Sequence, residues 1–153
     1  MDENNAAEGA GRQLSVSKLY IKDLSFESPN SPQVFLEQFQ PETEINLQTS
    51  HRDLGNNNVE VVLSITVTAK HSDTVLFLVE LQQAGIFILM NIDDAEERGR
   101  VLGSFCPGVL FPYAREAISS IVNRGGFPDL ILQPIDFDAL YMQSRADKDA
   151  AAN

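Results

Sequence analysis

One cysteine, two histidines and no apolar run long enough to cross a bilayer set the first limits on this 153-residue chain. With Cys106 alone, neither an internal disulfide nor a cysteine-rich metal site can be built. Cys106 precedes Pro107 and has no histidine near it in sequence, so it reads as a buried structural thiol rather than a reactive one. His51 and His71 are the only candidates for general-base work at neutral pH. Both fall at expected strand ends beside turns, where a solvated surface histidine is the plain reading. Asp93-Asp94 with Glu96-Glu97 matches no metal-loop spacing and fits the positive end of a helix instead. Gly125-Gly126 reads as a helix stop, and no phosphate-cradling glycine motif occurs. A chain without a nucleophile, a supported base or a metal set is expected to be no enzyme and to use no cofactor.

Basic residues are scarce as well: 11 Lys and Arg against 22 Asp and Glu give a net charge of −11 and a pI near 4.4. Phosphate binding needs clustered cations, so nucleic acid is argued against. A basic partner fits this balance, and so does the plain role of keeping a protein soluble. The most apolar stretch, Val75 to Met90, is interrupted by Glu80, Gln82 and Gln83, short of the roughly 20 residues a spanning helix needs. Met1-Asp2-Glu3 is acidic where a secretory leader would be basic. The expectation is a reduced, cytoplasmic protein without membrane insertion.

The length suits one domain. Residues 1–13 are polar and acidic without apolar period and are expected to form a disordered tail. Residues 143–153 read as a second flexible tail, which leaves a single domain over 14–142.

Strand patterns come first. From about Val16 to Ser28, Tyr20, Leu24 and Phe26 alternate with Asp23, Ser25 and Glu27 until Pro29 and Pro32 end the run. A second strand is expected near Glu44 to His51, with a turn at Leu54-Gly55-Asn56-Asn57-Asn58. The third sets Val59, Val61, Leu63, Ile65, Val67 and Ala69 in one apolar row. The fourth, Val75 to about Gln83, places Leu76 and Leu78 with Glu80 and Gln82 opposite Val75, Phe77, Val79 and Leu81. A strand apolar on both faces has both faces covered, one by the chain's own helices and the other by a second chain or a client. Helical signals follow only after Asn91. Asp93 is expected to cap a short helix to Phe105, Cys106-Pro107-Gly108 to break it, and a longer helix to run from Phe111 or Pro112 to Arg124. A last helix from Asp136 to Gln143 follows a greasy loop holding Phe127, Leu130, Ile131 and Leu132. Strands first and helices afterwards imply an α+β fold, a four-stranded antiparallel meander sheet with helices packed on one face.

Four blocks carry a resemblance in order and spacing: Leu19-Tyr20-Ile21-Lys22-Asp23-Leu24-Ser25-Phe26-Glu27-Ser28-Pro29-Asn30-Ser31-Pro32, Glu80-Leu81-Gln82-Gln83-Ala84-Gly85-Ile86-Phe87, Cys106-Pro107-Gly108-Val109-Leu110-Phe111-Pro112-Tyr113-Ala114-Arg115-Glu116, and Asn123-Arg124-Gly125-Gly126-Phe127-Pro128 with Gln133-Pro134-Ile135-Asp136-Phe137-Asp138-Ala139-Leu140-Tyr141. Together they resemble the SecB family of protein-export chaperones over roughly residues 14–145. The resemblance implies an ATP-independent holdase that binds unfolded precursor proteins, keeps them translocation-competent and delivers them to the motor ATPase SecA. It also implies a homotetramer built as a dimer of dimers. Carried over by motif, the client groove would involve Phe39, Phe127, Leu130, Phe137, Leu140 and Tyr141, although family members commonly have Trp where Phe39 stands. Ordinary core packing is the competing reading for Phe127 and Phe137. Asp23, Glu27, Leu78 and Glu80 would form the motor-binding patch. The alternatives are a SecB-like chaperone dedicated to an antitoxin and a non-catalytic small-molecule binding protein.

Overall fold

The computed structural model describes residues 11–152, so most of the expected N-terminal tail lies outside the described residues. Four strands, β1 (Gln13–Glu27), β2 (Glu42–Gly55), β3 (Asn58–His71) and β4 (Thr74–Met90), form one antiparallel sheet. Two tight turns set its register. Asn56 and Asn57 both take positive φ in the two-residue loop between β2 and β3, the backbone twist such hairpins favour, and Ser72 does so between β3 and β4.

The strand order β1-β4-β3-β2 corrects one part of the expected meander. β2, β3 and β4 follow one another as hairpins, but β1 pairs with β4. Residues 28–41 explain why. That connection, with Pro29, Pro32 and a 3-10 turn at Gln33–Phe35, is too long for a hairpin and lets β1 reach the far edge.

A register shift between Ile21 and Asp23 corrects the expected face of Tyr20. Before it, Tyr20 pairs with Ala84; after it, Leu24 pairs with Leu81, on the opposite side of β4. The bulge at Lys22 thus turns Tyr20 outward while Leu24 and Phe26 point to the helices. A second shift, between Ala69 and Lys70, brings Leu76 into the core instead of leaving it beside Leu78. β4 also runs to Met90 rather than Gln83. Gly85 is no break in it, because the glycine makes room for Leu110 and Phe87 and for the Lys18 carbonyl.

Helix α1 (Ala95–Arg100) is capped by Asp94, one residue later than expected, whose side chain accepts from Glu97 N at 3.0 Å. The expected break at Cys106-Pro107-Gly108 does not occur. Residues Val101–Phe105 form a π turn, in which Cys106 N–H bonds to the Val101 carbonyl, and helix α2 (Cys106–Arg124) continues directly. The wider turn carries the helix past Pro107, whose ring would clash with the carbonyl four residues back in a regular α-helix. At the other end Phe127 N–H reaches Val122 O (3.2 Å) and Gly126, with φ +91°, reaches Asn123 O (3.0 Å). That is the helix stop the glycine pair implied, and both Val122 and Phe127 are buried. Helix α3 (Phe137–Ala151) starts at Asp136 as expected, Asp136 Oδ1 accepting from Ala139 N at 3.0 Å, but continues past Gln143 to Ala151.

The core lies between the sheet and α2. The row Val59, Val61, Leu63, Ile65, Val67 and Ala69 is buried, as are Val79, Leu81, Phe87 and Leu89 of β4, against Leu110, Ala114, Ile118 and Val122. No described helix is long and apolar enough to cross a membrane.

Candidate functional site

Two clefts open where the helix-facing side of β2 is only partly covered. The first, of about 370 Å³, is lined by Phe35, Phe39, Phe77, Phe127 and Leu130 together with Thr43 of β2. Its floor is a cluster of rings. Phe127 lies 4.9 Å from Phe77 and 5.2 Å from Phe35, and Phe26 stacks on Phe77 at 6.1 Å. Gly126 permits this closeness, since a Cβ there would sit 3.1 Å from the Phe35 ring.

The second cleft, of about 650 Å³, is lined by Leu47, Thr49 and His51 of β2, Leu102, Gly103 and, from α3, Phe137, Leu140 and Tyr141. Tyr141 rests in a notch made by Gly99 and Gly103, which explains why a helix can carry both: a Cβ at Gly103 would meet the Tyr141 ring at 2.5 Å. Arg100 donates two hydrogen bonds to Asp138 (2.9 and 2.7 Å), fastening α3 across α1. This pairing holds the Asp138 carboxyl below its ordinary range. His51 therefore lies within β2 on the cleft wall, not at a strand end as expected, because β2 continues to Gly55.

The two clefts share a wall. Thr43, Ile45, Leu47, Thr49 and His51 alternate onto the helix-facing side of β2, so the row runs from the first cleft into the second. Ile45, between them, is 44% exposed. All six residues expected in a groove thus fall on its path, Phe39, Phe127 and Leu130 in the first cleft and Phe137, Leu140 and Tyr141 in the second. Phe127 and Phe137 also serve the core: they are only 8% and 7% exposed and present a wall, whereas Phe39, Leu130 and Tyr141 are half-buried and Leu140 is exposed. Ile45 was legible in the Ile45, Leu47, Thr49 alternation but was not assigned to the groove, and neither was Phe35.

The opposite face of the sheet carries the acidic set. Glu27 pairs with Leu78, Ser25 with Glu80 and Asp23 with Gln82, so Asp23, Glu27, Leu78 and Glu80 share the outward side of the β1–β4 ladder. Farther along this face Glu60 is buried and accepts from Tyr20 and from Lys22 Nζ at 2.9 Å. Cys106 is buried, and burial pushes its thiol up to about 12. Among the described residues no group of three or more His, Cys, Asp or Glu is placed to hold a metal ion.

Residues 7–148 match the family model described as preprotein translocase subunit SecB. The chain belongs to the SecB family. Two SecB relatives, each named protein-export protein SecB, are about half identical: 50% in Marinobacter nauticus, covering 94% of this chain and 89% of the relative, and 52% in Chromobacterium violaceum, covering 92% and 93%. The fold is that of a solved SecB-like chaperone from Mycobacterium tuberculosis in complex with a ChAD peptide from the HigA1 antitoxin. The TM-score is 0.68 at 14% identity, over 85% of this chain and 94% of that one.

Proposed function

We propose that this chain is a cytoplasmic, ATP-independent holdase that binds unfolded precursor proteins, keeps them translocation-competent and delivers them to the motor ATPase SecA, without catalysis. The apolar groove of two joined clefts carries this reading, in a chain half identical to export proteins. Apolar attraction is nearly non-directional, so ring-lined clefts accept many sequences. Each client side chain buried contributes roughly 1.5–3 kcal/mol, against roughly 0.5–1.5 kcal/mol for each one immobilised. Several anchors together therefore give useful, reversible binding. A folded protein has already buried such side chains, and selectivity for unfolded chains follows.

The working state is a homotetramer, a dimer of dimers. Supporting this, β1 is an edge strand with Val16, Ile21 and Leu24 exposed, and Phe105, just before α2, and Tyr113, within it, are exposed too, surfaces a lone protomer leaves uncovered. Asp23, Glu27, Leu78 and Glu80 are the motor-docking patch. An antitoxin-dedicated role rests on likeness of fold only, so export is the reading favoured.

A refolding assay decides. Stoichiometric protein without nucleotide should delay folding and suppress aggregation of a denatured substrate. Absence of both effects would refute the holdase role. Sedimentation as a monomer at micromolar concentration would remove the assembly.

A further inference from the structure

The two clefts differ in charge. Among the described side chains lining them, the first has Glu37 and Asp129 and no Lys, Arg or His, whereas the second has His51, Arg145 and Lys148 and no Asp or Glu. All five are exposed. Arg145 leans on the Tyr141 ring, 5.9 Å from its centroid, and is shared with Glu96 at 3.4 Å; Lys148 follows one turn later on α3.

The β2 row from Thr43 to His51 spans about 27 Å at the usual strand rise. Screening at physiological salt acts over about 8 Å. The acidic and basic ends therefore act on a bound chain separately, while an extended segment of about eight residues reaches both.

We propose, on the reading that the groove holds unfolded clients, that it orients its occupant by charge. The client's cationic end lies beside Phe127, with Glu37 and Asp129, and its anionic end lies beside Tyr141, with Lys148. The occupant this fits is an extended segment with apolar anchors near both ends, Lys or Arg flanking one and Asp or Glu flanking the other. Backbone direction is secondary: a segment with the opposite charge order binds the other way round. Each exposed pairing is weak, but reversing the segment turns attractions at both ends into repulsions, a preference of roughly tenfold.

Two peptides of the same composition, one with Lys at its N-terminal end and Glu at its C-terminal end and the other reversed, test this on the assembled protein. A nitroxide is attached next to the Lys. In both peptides the label should broaden the NMR signals of Phe127 and Leu130 and spare those of Leu140 and Tyr141. Carrying Glu37→Lys, Asp129→Lys, Arg145→Glu and Lys148→Glu together should reverse the pattern. Where that variant does not fold, raising salt to about 1 M should instead equalise broadening at the two clefts, since screening then acts over about 3 Å. A label that follows the N-terminus rather than the Lys, or that broadens both clefts equally at low salt, overturns charge orientation and leaves the groove standing. Broadening at neither cleft overturns the groove itself and this inference with it.

Discussion

The Tyr20 hydroxyl donates to Glu60 across the intervening strand β4, joining β1 to β3 on the outward face. Lys22 Nζ at 2.9 Å and Arg52 at 3.6 Å complete the carboxylate's surroundings. These hydrogen bonds, Tyr20's first and then Lys22's, hold the Glu60 carboxyl below its ordinary range. Burial, and then the Glu60 contact, pushes the Tyr20 hydroxyl up to about 12. Stability from Glu60 is therefore complete above about pH 4.5 and is lost as pH falls through the lowered value; that from Tyr20 is complete below about pH 10 and is lost as pH rises through about 12. Glu60→Gln should cost about 1 kcal/mol at pH 7 by urea unfolding, and the gap from the native chain should narrow below pH 4.5. A gap that is constant with pH would show that the ionised carboxylate contributes nothing.

Reversing charge on the outward ladder should separate docking from client binding. Asp23→Lys with Glu27→Lys is expected to weaken SecA binding by about tenfold at low salt, with the difference shrinking as salt rises. Peptide affinity should hold, because both residues lie on the sheet face opposite the clefts. Unchanged SecA affinity in calorimetric titration removes the patch assignment.

Ile45 bridges the clefts with nearly half its surface exposed. Ile45→Thr keeps the β-branched side chain that strands favour and removes apolar area, so stability should change little. Affinity for an unfolded client should fall by about fivefold in fluorescence anisotropy. If affinity is unchanged, clients do not cross from one cleft to the other along β2.

Cys106 offers a probe of opening. A thiol pushed up to about 12 holds only a trace of thiolate at pH 8, and the residue is buried. Alkylation should be negligible in the folded protein and should appear in step with urea unfolding. Rapid labelling in the native state at pH 8 would show that the α1–α2 junction opens locally.

What local pattern could declare, the sequence declared. The apolar row from Val59 to Ala69, the cap at Asp136, the Gly125-Gly126 stop and the order of strands before helices are all set by neighbours within a few residues, because side-chain alternation, capping and positive φ act at that range. The six residues that line the clefts were named by the resemblance to the SecB family, not by local pattern. Only the tertiary structure decided that β1 crosses to β4, that one extra residue at Lys22 turns Tyr20 from the helices to Glu60, that a π turn carries the helix through Pro107, and that Ile45 joins two clefts into one path. Each of these rests on partners far away in the chain. Strand pairing order, bulge position and the gap left between packed elements depend on which surfaces meet, and no local periodicity encodes that.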